Sequence, residues 1–443
     1  MRINRIAPAI CILLAQSALA ADAGLQVIYN FNSPGSAGTP NYIVEVSPGT
    51  FMGTAGNGAS VFSVTSGGVY QNIYVFPSEP SGIGTFGLTP ALNGQVYGSA
   101  DQAGTAPTFS ELYSISTAGS FTAYPYNAST QGGAFSLVQN PDNHLYSLFG
   151  IEGGPSSFAR LDYNGIPLTL HKFDASEGLP FLIFPGYDDA FYGLSFFGEN
   201  GTTAGIFRLT VDGTFSWVVP SISNTSYTSA LIEATNGKFY GTLSEAGTAG
   251  AGLVYEATLG GQMRTIYEFP QRTTGAPSTL MQASDGMLYG TTIGNDVHLQ
   301  NNAVSTIFRL DPSNGNFETL YKFAGRDCAC QLVQGSDGRI YGISYYQNSY
   351  GTFFVLDLGL APPMPFIKTF GPESGGVGQV VLLWGHDLLG TTGVSFNGTP
   401  AETFSVPTGE GVWATVPAGA TTGPVSITTP NGTYVTGQNF TVN

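Results

Sequence analysis

Apolar and polar positions along the chain follow a recurring order: an apolar run, a two-residue turn, then a short strand ending in an aromatic residue and a glycine. The order is clearest in ATNGKFYGT around Tyr240, ASDGMLYGT around Tyr289 and GSDGRIYGI around Tyr341, and weaker around Met52, Tyr97, Tyr146 and Tyr192. These seven anchors lie 45, 49, 46, 48, 49 and 52 residues apart. After each anchor and a variable loop comes another apolar strand, such as Ile206–Leu209, Ile307–Leu310 or Phe354–Asp357. Turns such as Asp212-Gly213, Gly260-Gly261 and Asn314-Gly315 follow, dipeptides that accept positive φ at little cost and so suit hairpins. A last strand closes the unit, as in Ile266–Phe269 and Leu320–Phe323. Each unit therefore predicts four short antiparallel strands.

Four strands at a period near 48 residues is the signature of a β-propeller blade, whereas a β-sandwich does not repeat its own sequence. The closing strands carry Tyr74, Tyr124, His171, Trp217, Tyr267 and Tyr321 at one shared position. The seventh unit lacks such a strand after Phe353–Leu358, and the missing copy stands before the first anchor as Ile28–Phe31. The expected fold is all-β: a seven-bladed β-propeller of four-stranded blades over residues 21–360, closed by the N-terminal strand. Closure removes the free sheet edges that invite aggregation. Residues 361–365, with three prolines, read as a linker. Residues 366–443 lack the blade pattern and show short strands between Gly-rich turns, which predicts a small immunoglobulin-like β-sandwich.

Composition agrees with strands and turns: 61 Gly, 23 Tyr and 30 Phe in 443 residues, with only 9% charged. The formal charge of -16 disfavours nucleic acid and anionic membranes as partners. Residues 1–20 read as an export signal: Arg2 and Arg5, an apolar stretch Ile6–Ala15 too short to span a bilayer, then Ala18-Leu19-Ala20. The expected product is secreted, extracellular or periplasmic, monomeric and not inserted in a membrane. Its terminal Thr441-Val442-Asn443 gives no sign of a surface anchor. Past the signal only Cys328 and Cys330 remain, too few for a disulfide framework. Cys328-Ala329-Cys330 is a candidate tight disulfide, the alternatives being a loop staple or two thiols.

The blade pattern resembles the GloVer tandem repeat of exported bacterial proteins, whose units carry a run like SDGxLYGTT and then a strand like VFRL. The match covers roughly residues 25–360, strong in the last three units and degenerate earlier, where Phe51-Met52-Gly53 replaces Tyr-Gly and Tyr146-Ser147 has no glycine. That resemblance implies an exported repeat protein and no particular reaction. The tail resembles an IPT/TIG immunoglobulin-like domain through Gly371-Pro372, Leu383-Trp384-Gly385, Val394–Gly398 and Val416–Gly419. The two-part layout also resembles copper radical oxidases related to galactose oxidase. Those need a Tyr followed directly by His, and this chain has no such pair.

Chemistry is sparse. His171 occupies the aromatic slot of a closing strand, and His144, His298 and His386 show no metal-ligand spacing, so no metal or cofactor is expected. Asp188-Asp189 falls in a hairpin turn, where Asp is a turn former. The long loops share one face, which receives Phe196, Phe197, Glu199, Tyr345, Tyr346 and Tyr350. Aromatic rings beside carboxylates suit sugar recognition, the alternative being that these rings pack between blades. The expected function is an exported non-catalytic protein that binds a polysaccharide or protein at one propeller face. The alternative is an extracellular lyase or glycosidase with its site over the central channel.

Overall fold

The computed structural model describes residues 24–443 except 32–37, 57–59, 77–82, 103–109, 126–132, 151–155, 198–202, 224–227, 272–275, 295–303, 324–327 and 347–348. Among the described residues every regular element is a strand. Between Leu25 and Leu356 these form seven four-stranded antiparallel sheets. The first six use consecutive strands over residues 40–75, 83–125, 133–172, 179–223, 228–268 and 276–322. The seventh joins Cys328–Gln334, Ile340–Tyr346 and Ser349–Leu356 to the strand Leu25–Asn30 from the other end of the chain. In that pairing Leu25 faces Leu356 and Asn30 faces Thr352. Each sheet packs on the next, and the seventh packs on the first.

Two local devices recur, each in six of the seven sheets. The first ties the anchor tyrosine to its turn. Tyr146, Tyr192, Tyr289 and Tyr341 donate to the carboxylates of Asp142, Asp188, Asp285 and Asp337, at 2.6 to 3.0 Å. In the second and fifth sheets Asn93 and Asn236 donate to the hydroxyls of Tyr97 and Tyr240 instead. An Asx residue that both turns the chain and satisfies a buried phenol explains why the pattern couples Asp or Asn to Tyr four residues on.

The second device explains the glycine after the tyrosine. Gly53, Gly98, Gly193, Gly241, Gly290 and Gly342 each pair across the sheet with an aromatic residue: Phe62, Tyr113, Phe207, Tyr255, Phe308 and Phe354. The ring folds back over the glycine. A Cβ at Gly290 would lie 2.6 Å from the Thr279 carbonyl oxygen and closer still to the Phe308 ring. The third sheet shows the converse: Ser147 stands where glycine is missing, and its cross-strand partner is Ala159. With no ring to accommodate, the serine fits and its hydroxyl donates to the Phe135 carbonyl at 2.9 Å.

The first strand of every sheet carries a register irregularity against the second. These first strands are also edge strands, and side chains of neighbouring sheets take up backbone groups along that open edge. Ser136 accepts from the Ile183 amide at 2.8 Å and donates to its carbonyl, and the Gln331 amide does the same for Ile43 across the seam between seventh and first sheets.

One charged cluster belongs to this scaffold. Glu256, 5% exposed, is bridged by Arg264 and Lys238 and accepts from Tyr240. Bonding to Arg264 first, then to Lys238 and Tyr240, holds its pKa down at about 2. Its stabilisation is therefore complete above the unfolded carboxylate range near pH 4.3 and is lost as pH falls toward 2. Replacing Glu256 by Gln is expected to cost roughly 2 kcal/mol at pH 7, allowing for solvent around Lys238 and Arg264, and to flatten the acid limb of stability between pH 5 and 2. Urea melts across that range check it, and parallel acid limbs would contradict it.

Past residue 360 the chain forms two further sheets, one of four strands and one of five. They face each other across a core of Ile367, Val381, Leu383, Val394, Val425 and Phe440. This unit sits on the hairpin-turn side of the seven sheets. Trp384 and Leu382 bury Leu92, the Trp413 indole donates to the Leu92 carbonyl, and Lys368 donates to the Gly186 carbonyl. Asn431 bridges the Ser336 and Pro363 carbonyls. The Pro-rich segment lies against the same side, with Ser284 donating to the Ala361 carbonyl.

Candidate functional site

The first strands of the first four sheets surround a cavity of about 730 Å³. Its wall is mostly apolar because the bulged strands turn Leu88, Leu137, Val138, Ile183 and Phe184 toward it. One end is floored by Thr408–Glu410, a turn of the C-terminal unit. That turn is held by the Thr408 hydroxyl, which accepts from the Glu410 amide at 3.1 Å, and by the Glu410 carbonyl, which accepts from Gly385 at 2.8 Å.

Glu410 is the chemically distinctive residue here. Its side chain is exposed and lines the cavity wall. Enclosure by protein raises its pKa to about 7 against the opposing pull of His386 and Lys368. Both cations are engaged elsewhere: Lys368 by Gly186 and by Asp189 at 3.4 Å, His386 by Asp387 at 2.6 Å. They lie with Glu410 and Glu233 around a smaller cavity of about 150 Å³ between the C-terminal unit and the turns. Glu233 accepts from the Tyr187 amide, and burial raises its pKa. The other carboxylate in the main wall, Glu45, accepts from the Gly49 and Ser336 amides and the Ser336 hydroxyl, so it serves the turns. Burial, then the nearby Glu410 charge, raises the Tyr42 pKa.

Phe196 lies near the opposite end of the fourth sheet, half-buried and stacked on Phe181 at 4.4 Å and 8°. Phe181 in turn lines the cavity. Phe197, Tyr345, Tyr346 and Tyr350 lie in described strands, but their side chains are outside the described residues, as is Glu199 altogether. Phe197 and Tyr345 sit on strand ends that leave the sheets on the side away from the C-terminal unit. The Cys328 side chain is likewise outside the described set, and Cys330 is half-buried. His171 stacks on Phe215 at 5.4 Å and meets Glu177 at 2.8 Å, the packing role its slot implied. Asp188 is used by Tyr192 and Arg208, and Asp189 has a turn φ of 63°.

Sequence reasoning did not find Glu410, because it lies in a turn of the tail and meets the cavity only through the docking of two distant parts of the chain.

The chain is similar in structure to virginiamycin B lyase from Staphylococcus aureus. A catalytically inactive variant with quinupristin matches at 15% identity and a TM-score of 0.56, covering 75% of this chain and 99% of that one. The selenomethionine-substituted lyase matches over the same shares at 0.54. A gluconolactonase from Xanthomonas campestris matches at 13% identity and 0.42, covering 72% of this chain and 94% of its own. Likeness to the lyase at this identity shows the fold alone, an all-β propeller-like repeat. No curated protein matches this chain. Residues 136–356, within the third through seventh sheets, match the model of the Gloeobacter/Verrucomicrobia repeat.

Proposed function

We propose that the protein is an exported, non-catalytic binding protein. In this reading the seven sheets are the blades of one propeller closed by the N-terminal strand, and residues 366–443 form an IPT/TIG-type immunoglobulin-like domain on its turn side. The opposite side binds an extracellular polysaccharide or protein, with the protein acting as a monomer after removal of residues 1–20. The observation that carries this is the stacked Phe181–Phe196 pair, half-buried between the cavity and the free end of the fourth sheet. Aromatic faces at the mouth of a concave site suit sugar rings. The neighbouring strand ends bring Phe197, Tyr345 and Tyr346 to the same side.

Binding is favoured over catalysis by the carboxylates. General acid–base hydrolysis uses two acids facing one substrate, whereas of the two carboxylates lining the main cavity Glu45 is held by turn hydrogen bonds from Gly49 and Ser336. A glycan array probed with the secreted protein tests this reading. Retention of one class of polysaccharide without release of shorter products is the expected result. Shortened or unsaturated products would instead establish the lyase or glycosidase alternative.

A further inference from the structure

We propose that the end of the main cavity floored by Glu410 is a binding site for a small organic cation with an apolar body. The site is separate from the rim aromatics and stands whether or not they bind a polysaccharide.

Three observations meet there. The cavity, about 730 Å³, has the volume of a small-molecule site, and its wall offers Leu88, Leu137, Phe184 and Val44 to an apolar body. Glu410 faces that wall, while no hydrogen bond to its carboxylate is recorded among the described residues. Lys368 and His386, the cations within range of it, are held by Asp189 and Asp387 beside the smaller cavity. Among the described residues no ion pair reaches the Glu410 carboxylate where it meets this apolar wall. A ligand ammonium supplies the pair that the protein withholds, and the Tyr42 ring adds a face on which a cation can rest. The chain's charge of -16 also draws cations toward any opening. An anion of the same shape meets Glu410 and Glu45 and is rejected, so the site selects by charge as well as by shape.

Phenethylamine, 2-phenylethanol and phenylacetate share one apolar body and differ in charge. Titration calorimetry on the whole mature protein at pH 7.5 is expected to rank the amine at least tenfold tighter than the alcohol, with no measurable heat from the acid. Glu410→Gln should abolish the preference for the amine and leave the affinity for the alcohol unchanged. Val44→Phe, which narrows the cavity without touching Glu410, should weaken amine and alcohol alike. Equal affinities for amine and alcohol in the unaltered protein would overturn the proposal without any variant. So would an amine preference that survives Glu410→Gln, or binding of both ligands untouched by Val44→Phe. The rim-binding reading stands or falls separately on the glycan array.

Discussion

Deleting residues 21–31 is expected to leave a protein that aggregates or melts roughly 10 °C or more below the intact chain. The deleted strand is the outer strand of the seventh sheet, paired from Leu25 with Leu356 to Asn30 with Thr352. Its loss leaves the strand Ser349–Leu356 as an unpaired edge, a template for pairing with other chains. It also removes Phe31, fully buried in the core shared by the first and seventh sheets, and Tyr29, stacked on Tyr70 at 4.3 Å. A buried Phe alone is worth roughly 3–5 kcal/mol. Truncation before Pro362 is the matched control. It exposes Leu92 and opens the floor of the cavity but leaves the seven sheets with all their strands, so a cooperative transition should persist with a smaller loss. Thermal melts of the two truncations decide the matter. Equal losses would mean that the N-terminal strand is no more than a peripheral addition.

The second large effect is expected at the glycines under the aromatic rings. Gly290→Ala places a methyl group against the Phe308 ring and the Thr279 carbonyl, so ring and strand must both shift. Overpacking of this kind costs roughly 1–3 kcal/mol and more where backbone is the obstacle. The third sheet supplies the reciprocal test. Ala159→Phe should be destabilising beside Ser147, and adding Ser147→Gly should recover much of the loss, because that pair then copies Gly290 and Phe308. Denaturant melts of the two single variants and the double variant read the coupling directly. Additive effects would show that glycine and ring are not linked.

These pairs show why so much of the scaffold is legible in the chain. The Asp-to-Tyr spacing at Asp285 and Tyr289, and the Gly-to-ring pairing, are satisfied within one hairpin, so the local sequence must carry them. Even the apparent exception at Ser147 is accounted for by Ala159 twelve residues later. The position of Ile28–Phe31 was also readable, because a closing strand missing from one end reappears at the other.

The cavity floor was not readable. Glu410 reaches it through contacts such as Trp413 with Leu92, and nothing in either segment alone marks the other as its partner. The acidic turn residues that stand out in the sequence prove structural: Asp188 and Asp337 serve their tyrosines, while Glu410 sits in a plain Thr-Gly-Glu turn. The position of the loops pointed to Phe196, whose side chain is described, as one of the aromatic residues on that side. That Phe196 pairs with Phe181 was not apparent, because the pairing follows from the bulge between Pro180 and Leu182.

The central claim, that this propeller-like scaffold presents a binding rim on the side away from its C-terminal unit, is tested most directly by one comparison. The affinity of the polysaccharide retained on the array is measured for the unaltered protein and for Phe196→Ala, alongside the melting temperature of each. The account predicts an affinity loss of roughly 1–3 kcal/mol with little change in melting. Unchanged affinity together with a stability loss of roughly 2–5 kcal/mol would assign Phe196 to packing and contradict the claim.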